Sequence, residues 1–282
     1  YIFYSIYIIF FPFFYFYSKA EINLHSINET KTIINNKNSN NCTVGTCNIY
    51  GGVKSGKNLF HRFNSFDTRG SINEVKFFNG KQSNIIVGVS SKNGTFINKP
   101  IKLEREANLF WVSPSGIKID NGGEFINTKN ISFTTAESLN FSKNIFSVFN
   151  NNKYHLKDYS SEPTLNLSPI NQSENLNSVK IKISDTNIFI DEKLYLDSPN
   201  GMIDIKDTKI KTTSKNNGSI TIAGNSVLLR GDTFILSNGE KNGGLIQIGG
   251  SWQNSNKEIR ESTHTVVEDK VLIDTSSNSG NG

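Results

Sequence analysis

The chain has little of what would hold a protein together apart from packing: 282 residues carry 2 cysteines, 6 prolines and 1 methionine. Cys42 and Cys47 lie so close together that a disulfide framework cannot be the source of stability. Blocks of like charge are also missing. Lys plus Arg number 30 against 25 Asp plus Glu, a formal charge of +5 scattered singly along the chain, so nucleic acid is not an expected partner. The four histidines, His25, His61, His155 and His264, are far apart and no second cysteine pair exists, which leaves no zinc-type spacing; no metal and no cofactor is expected. No amphipathic helical period is visible, which excludes a helical bundle. What is abundant is Asn, Ser, Thr, Ile and Gly, a composition of strands and turns.

Residues 1–16 are almost entirely Ile, Phe and Tyr, followed by Tyr17-Ser18-Lys19-Ala20, with small residues three and one positions before a cut after Ala20. This is the pattern of a secretory signal peptide, truncated at its start, over residues 1–20. A membrane anchor is the rival reading, but the run is shorter than the ~20 residues of a spanning helix. Residues 21–50 are polar and Asn-rich, with Ile22, Leu24, Ile27, Ile33 and Ile34 to bury, and are expected to form an extended capping segment. Export places Cys42 and Cys47 in an oxidising compartment, where the short loop between them can close as a disulfide and fix a turn near the cap.

Strand-sized apolar or alternating runs recur at 85–89, 108–112, 131–134, 179–183, 187–190, 202–205, 219–222, 227–229 and 245–248. Val179, Ile181 and Ile183 alternate with Lys180, Lys182 and Ser184, the period of a strand with one wet face. Between and beside these runs lie Asn-Gly dipeptides at Asn79, Asn93, Asn121, Asn200, Asn217, Asn238 and Asn242, and each is expected to turn the chain tightly. The gaps are too short for crossover helices. Hairpins in a sandwich and a stacked parallel β-helix both fit, and Asn and Thr ladders with β-branched inward positions favour the β-helix. Allowing about 20 to 25 residues per rung from residue 51 onward gives roughly ten rungs stacked at the strand spacing. Residues 151–178 read as a loop insertion.

Several motifs have plainer readings. Gly51-Gly52-Val53-Lys54-Ser55-Gly56-Lys57-Asn58 nearly matches a phosphate loop, but Asn58 stands where the magnesium-holding hydroxyl belongs and no helix pattern follows, so a turn is expected. His61, flanked by apolar residues, reads as a hydrogen-bonded core histidine. Carboxylate pairs such as Asp204 with Asp207, or Asp191 with Glu192, have no attendant Arg in the sequence and read as solvated strand faces, so no catalytic residues are assigned.

Three stretches resemble one family. Asn58-Leu59-Phe60-His61-Arg62-Phe63 is similar to an NLFHSF-type element, and Ala107-Asn108-Leu109-Phe110-Trp111-Val112-Ser113-Pro114-Ser115-Gly116-Ile117 to an ANLFLINPNGI element, both of the N-terminal secretion domain of filamentous haemagglutinin-like exoproteins. Residues 121–128 resemble the GGSFVAST continuation, and residues 242–252 and 271–275 the Gly-rich repeats downstream. Ser113-Pro114-Ser115 departs from the usual Asn-Pro-Asn; Ser113 is expected to accept the local backbone hydrogen bond that Asn makes there, with Pro114 fixing φ.

The resemblance implies an all-β fold, a right-handed parallel β-helix with an N-terminal cap. It also implies two-partner secretion: export through the periplasm, recognition by an outer-membrane β-barrel transporter, and release to the cell surface or medium. The secretion domain would occupy 51–150, with further rungs over 179–282 continuing beyond the fragment. Asn58, Leu59, Phe60, His61, Phe63, Asn108, Leu109, Phe110, Ser113, Pro114, Ser115, Gly116 and Ile117 are the residues expected to form the recognition or cap motif. The protein is expected to be an adhesin-like exoprotein with no enzymatic activity of its own. The alternative is a carbohydrate-binding β-helix, or less readily a polysaccharide lyase, in which Phe189, Tyr195 or Trp252 stacks on sugar rings; host or neighbour-cell glycans are the partners it implies.

Overall fold

The computed structural model describes residues 20–27, 29–149, 158–167, 178–215 and 218–280. The expected leader, residues 1–19, lies outside them, as does most of 151–178. The alternation of apolar and polar residues folds into a solenoid of stacked parallel coils with about 7 turns, a parallel β-helix. Each turn passes through three faces.

Face A stacks Val44–Gly51 on Ser71–Phe77, then on the beginnings of Ile101–Val112 and Phe125–Thr134, and resumes below as Asn187–Ile190, Lys209–Thr212, Phe234–Leu236 and Leu272–Asp274. Face B runs from the first half of Asn58–Asp67 through Asn84–Val89, the second halves of Ile101–Val112 and Phe125–Thr134, and the first halves of Lys193–Lys206 and Ser219–Arg230, to Leu245–Ile248. Face C carries Thr95–Ile97, Ile117–Ile119, Val179–Ser184, the ends of Lys193–Lys206 and Ser219–Arg230, and His264–Val267. Strands of 10 to 14 residues arise because one strand can round a corner and serve two faces.

The register is in phase on every rung. One inward column on face B reads Leu59, Ile85, Leu109, Ile131, Leu194, Ile220 and Ile246. Because side chains alternate sides along a strand, that column fixes which residues point outward: Phe60, Ile86, Phe110, Ser132, Tyr195, Thr221 and Gln247.

The count of turns corrects the expected ten. Successive partners on face B lie 26, 24 and 22 residues apart, then 63, because the chain leaves the coil after Thr134 and rejoins it at Val179. The departure thus begins before residue 151. Within it, Ser138–Phe141, Asn144–Ser147 and Thr164–Leu165 form a three-stranded antiparallel sheet laid on the outside of face B. It covers the outward apolar residues of the first rungs, burying Phe60 against Phe141, Phe146 and Tyr159 at ring separations of 5.4, 5.3 and 6.0 Å.

The N-terminal segment caps the coil. Thr32–Ile34 pairs antiparallel with Val44–Gly51 on face A, Val53–Ser55 with Asn58–Asp67 on face B, and Ile22–Leu24 with the end of Asn58–Asp67 at face C. All three open edges of the first rung are thereby closed, which removes the template for edge-to-edge association. Cys42 and Cys47 are disulfide-bonded beside this cap. The phosphate-loop look-alike is the hairpin between Val53–Ser55 and Asn58–Asp67.

The Asn-Gly pairs divide. Gly80, Gly94 and Gly122 take positive φ in turns, whereas Asn200-Gly201 lies inside Lys193–Lys206. Asn200 stays extended because its amide Nδ2 donates to the Pro114 carbonyl at 3.0 Å across a buried corner.

Candidate functional site

Two of the motif stretches, widely separated in sequence, meet on one face. Asn58-Leu59-Phe60 and Asn108-Leu109-Phe110 occupy the same three columns of face B, with Asn84-Ile85-Ile86 stacked between them. Each asparagine amide donates to the side-chain oxygen of the one above, Asn84 to Asn58, Asn108 to Asn84 and Asn130 to Asn108, all at 2.8 Å. A stacked Asn satisfies a donor and an acceptor of its neighbours at once, so the ladder sets the register of four rungs. At the top Asn58 Nδ2 donates to the carbonyls of Tyr159 and Ser161, tying the ladder to the covering sheet. At the bottom Lys193 takes the next position, and Asn130 Oδ1 has no partner there.

The second half of the longer motif makes the corner from face B to face C. Gly116 N–H donates to the Ser113 carbonyl at 3.0 Å, which closes a β-turn with Pro114 at its second position. Ser113 differs from expectation: its hydroxyl is the donor, to the Gly116 carbonyl at 2.8 Å. It does so because its oxygen is already an acceptor. Trp111 Nε1 donates to Thr95 Oγ1 at 3.1 Å, and Thr95 Oγ1 donates to Ser113 Oγ at 3.1 Å, so a buried chain of donors ends on the turn. Gly116 has φ of +130°, and a Cβ there would stand 2.8 Å from the Lys180 carbonyl oxygen of the next rung. Gly94, at the same corner one rung earlier, is equally confined, since a Cβ would stand 2.4 Å from the Gly116 carbonyl oxygen.

His61 is fully buried between Phe63 and Phe77, with Nδ1 at 3.0 Å from Thr32 Oγ1 on the cap. Burial holds its pKa down at about 3, so the ring is neutral at physiological pH, as a core histidine would be. Sequence reasoning passed over its neighbour Arg62. Its guanidinium is 2% exposed, pairs with Glu29 of the cap at 3.1 Å, donates to the Ser147 carbonyl and lies 4.8 Å from the centre of the Phe146 ring. One side chain thus joins the cap, the first rung and the covering sheet.

The motif residues are almost all inside. Asn58, Leu59, Phe60, His61, Phe63, Leu109, Ser113, Pro114, Gly116 and Ile117 are buried, and Asn108, Phe110 and Ser115 are half-buried. In the folded chain they build rungs and corners and present little surface.

Charged pairs also appear that the sequence did not reveal. Asp197 is fully buried, receives a hydrogen bond from Thr134 Oγ1 at 2.8 Å, and meets Arg260 Nε at 2.9 Å. Burial raises its carboxyl above the ordinary range, an effect that Arg260 and Thr134 oppose. Asp204, read as a solvated face, is buried and paired with Arg230 at 2.9 Å, while Asp207 instead pairs with its neighbour Lys206 on the surface. The spacings, 63 and 26 residues, are legible only once the coil is known.

Of the candidate sugar platforms, Phe189 stands on face A and Tyr195 on face B, while Trp252, 82% exposed, sits in the 3-10 turn Trp252–Asn254. Phe189 and Tyr195 therefore do not share a strand face. Among the described residues no group of three or more His, Cys, Asp or Glu is arranged to hold a metal ion, and no helix is long and apolar enough to cross a membrane. The fold defines the class, a capped parallel β-helix. Within that class, no family model matches the chain and no curated protein matches it.

Proposed function

We propose that this chain is the secretion-targeting N-terminal region of a large exported adhesin-like protein. A dedicated outer-membrane β-barrel transporter receives it, and it folds into its β-helix at the cell surface or in the medium, without enzymatic activity or cofactor. The observation that carries the reading is the placement of the two motif stretches: they stack in register two rungs apart on face B, directly beneath the cap. A folding start at this point suits vectorial release. The cap closes the upper edges, and each emerging turn finds a finished rung to pair with, because nearly all rung contacts are between chain neighbours.

The burial of the motif sharpens the proposal. Leu59, Phe60, Leu109 and Ile117 are accessible to a partner only before folding, so the transporter reads the unfolded chain. Expressing the chain with its leader in a host with and without the barrel transporter tests this. Supernatant protein that depends on the barrel, and that is lost when residues 59–112 are removed, is expected; equal export without the barrel overturns the proposal.

A further inference from the structure

A groove of about 750 Å³ lies on the outside of face B, beside the end of the second motif strand. That volume falls within the range of ~300 to 1,000 Å³ typical of ligand sites. It lies where the covering sheet ends. Its floor is Phe110, Ser132 and Tyr195, which occupy one outward column on three consecutive rungs. At the strand spacing the two rings are about 10 Å apart, with only the small Ser132 between them. Tyr195 is pinned, because its hydroxyl donates to the Glu258 carbonyl at 3.1 Å.

The walls are polar. Asn140, Thr164 and Asn166 come from the covering sheet and its continuation, and Lys257 and Glu258 from the loop that Arg260 anchors through Asp197. Lys193 stands beside Tyr195 on the same outward side of its strand. Lys193 and Lys257 line the groove together with a single carboxylate residue, Glu258, so positive charge is in excess by one.

We infer that this groove binds an acidic oligosaccharide, with Phe110 and Tyr195 stacking on sugar faces, the amides and hydroxyls taking ring hydroxyls, and Lys193 and Lys257 taking the anionic groups. An aromatic ring offers a flat face to the C–H side of a sugar while amide groups meet its rim. One rung is close to the length of a sugar residue, so the platforms separated by Ser132 suit an extended chain lying along the axis. A peptide fits less well. Face B strands are paired on both sides, and the bordering edge Thr164–Leu165 is two residues long and preceded by Pro163, too short for strand addition. The inference does not rest on the secretion reading, and either can fail alone.

Calorimetric titration of the whole chain with oligogalacturonate, chondroitin sulfate oligosaccharide and neutral cello-oligosaccharide tests it. Binding of one or both acidic glycans, weakened by added salt, is expected, and whichever binds identifies carboxylate or sulfate as the group read. The double variant Lys193→Gln/Lys257→Gln, both exposed in the fold, should weaken that binding about tenfold or more with thermal unfolding unchanged. Phe110→Leu, which keeps apolar volume and removes the ring, should weaken it too. Trp252→Ala should leave it unaltered. No binding of either acidic glycan, equal binding of the neutral one, or full affinity in the double variant overturns the inference.

Discussion

The first four turns and the last three are built on one plan from different materials. The upper interior is aromatic: Phe63, Phe66, Phe77, Trp111, Phe125 and Phe133 are buried there, with Phe66 and Trp111 edge to face at 4.6 Å. The lower interior holds Ile188, Leu194, Ile203, Ile210, Ile220 and Leu229, and among the described residues of these rungs no aromatic is buried. Large rings of fixed geometry interlock in one way, whereas columns of Ile and Leu stack in many nearly equivalent ways. The upper turns are thus individually specified and the lower ones repetitive.

Breaking one of each tests that contrast. Trp111→Ala removes a fully buried ring and the first donor of the corner chain, and is expected to cost about 3–5 kcal/mol of stability in denaturant unfolding. In the lower turns, the largest effect should come from a charge. Arg260→Ala leaves Asp197 buried and unpaired, with an expected loss of about 3–5 kcal/mol at neutral pH.

Acid should separate the two regions further. Asp197 has a folded-state pKa above its unfolded value, so its contribution is most favourable below the unfolded value and is lost as pH rises through the folded one. The Arg260→Ala deficit should therefore shrink on acidification. His61 behaves oppositely: its folded pKa of about 3 lies below the ordinary 6.5, so stability is lost as pH falls through that window. Hydrogen exchange between pH 6.5 and pH 3 should show the cap and first rung loosening before the Asp197 corner. Simultaneous loss would remove His61 as the cause.

A smaller effect is expected at the corner joining faces B and C. Gly116→Val adds a side chain at positive φ against the Lys180 carbonyl and should cost about 1–3 kcal/mol. Pro114→Ala, which loosens only the unfolded chain, should cost less than about 1 kcal/mol. Ile210→Val in a repetitive rung is expected to cost a comparably small amount, about 0.5–1.5 kcal/mol, and a value near that of Trp111→Ala would erase the distinction between the regions.

The strands of the lower turns were legible in the sequence because Ile and Val alternate there with Lys and Asp, a local signal of period two. The core position of His61 and the bend at Pro114 were legible for similarly local reasons, and so was a cap within residues 21–50, although that segment also supplies the first rung strand from Val44 onward. The covering sheet was not, since Leu139, Phe141 and Phe146 pack on Phe60, a contact that periodicity within a strand does not encode. Asn200-Gly201 carried the composition of a turn, and tertiary hydrogen bonding to Pro114 overrode it. The ion pair of Asp197 with Arg260 spans a distance in sequence that only the coil brings together.

The 63-residue interval between the fourth and fifth rungs has a kinetic consequence. Every other rung on face B down to Ser219 closes on a partner 22 to 26 residues away, so contact order stays low and folding can propagate turn by turn. At this one place closure costs about 0.9 kcal/mol more in loop entropy than at its neighbours. Folding progressing from the cap would pause there, with three turns and two faces of the fourth in place and the covering sheet docked, before the repetitive turns begin. On this account the molecule would fold as two units in time, although its strands run continuously through space.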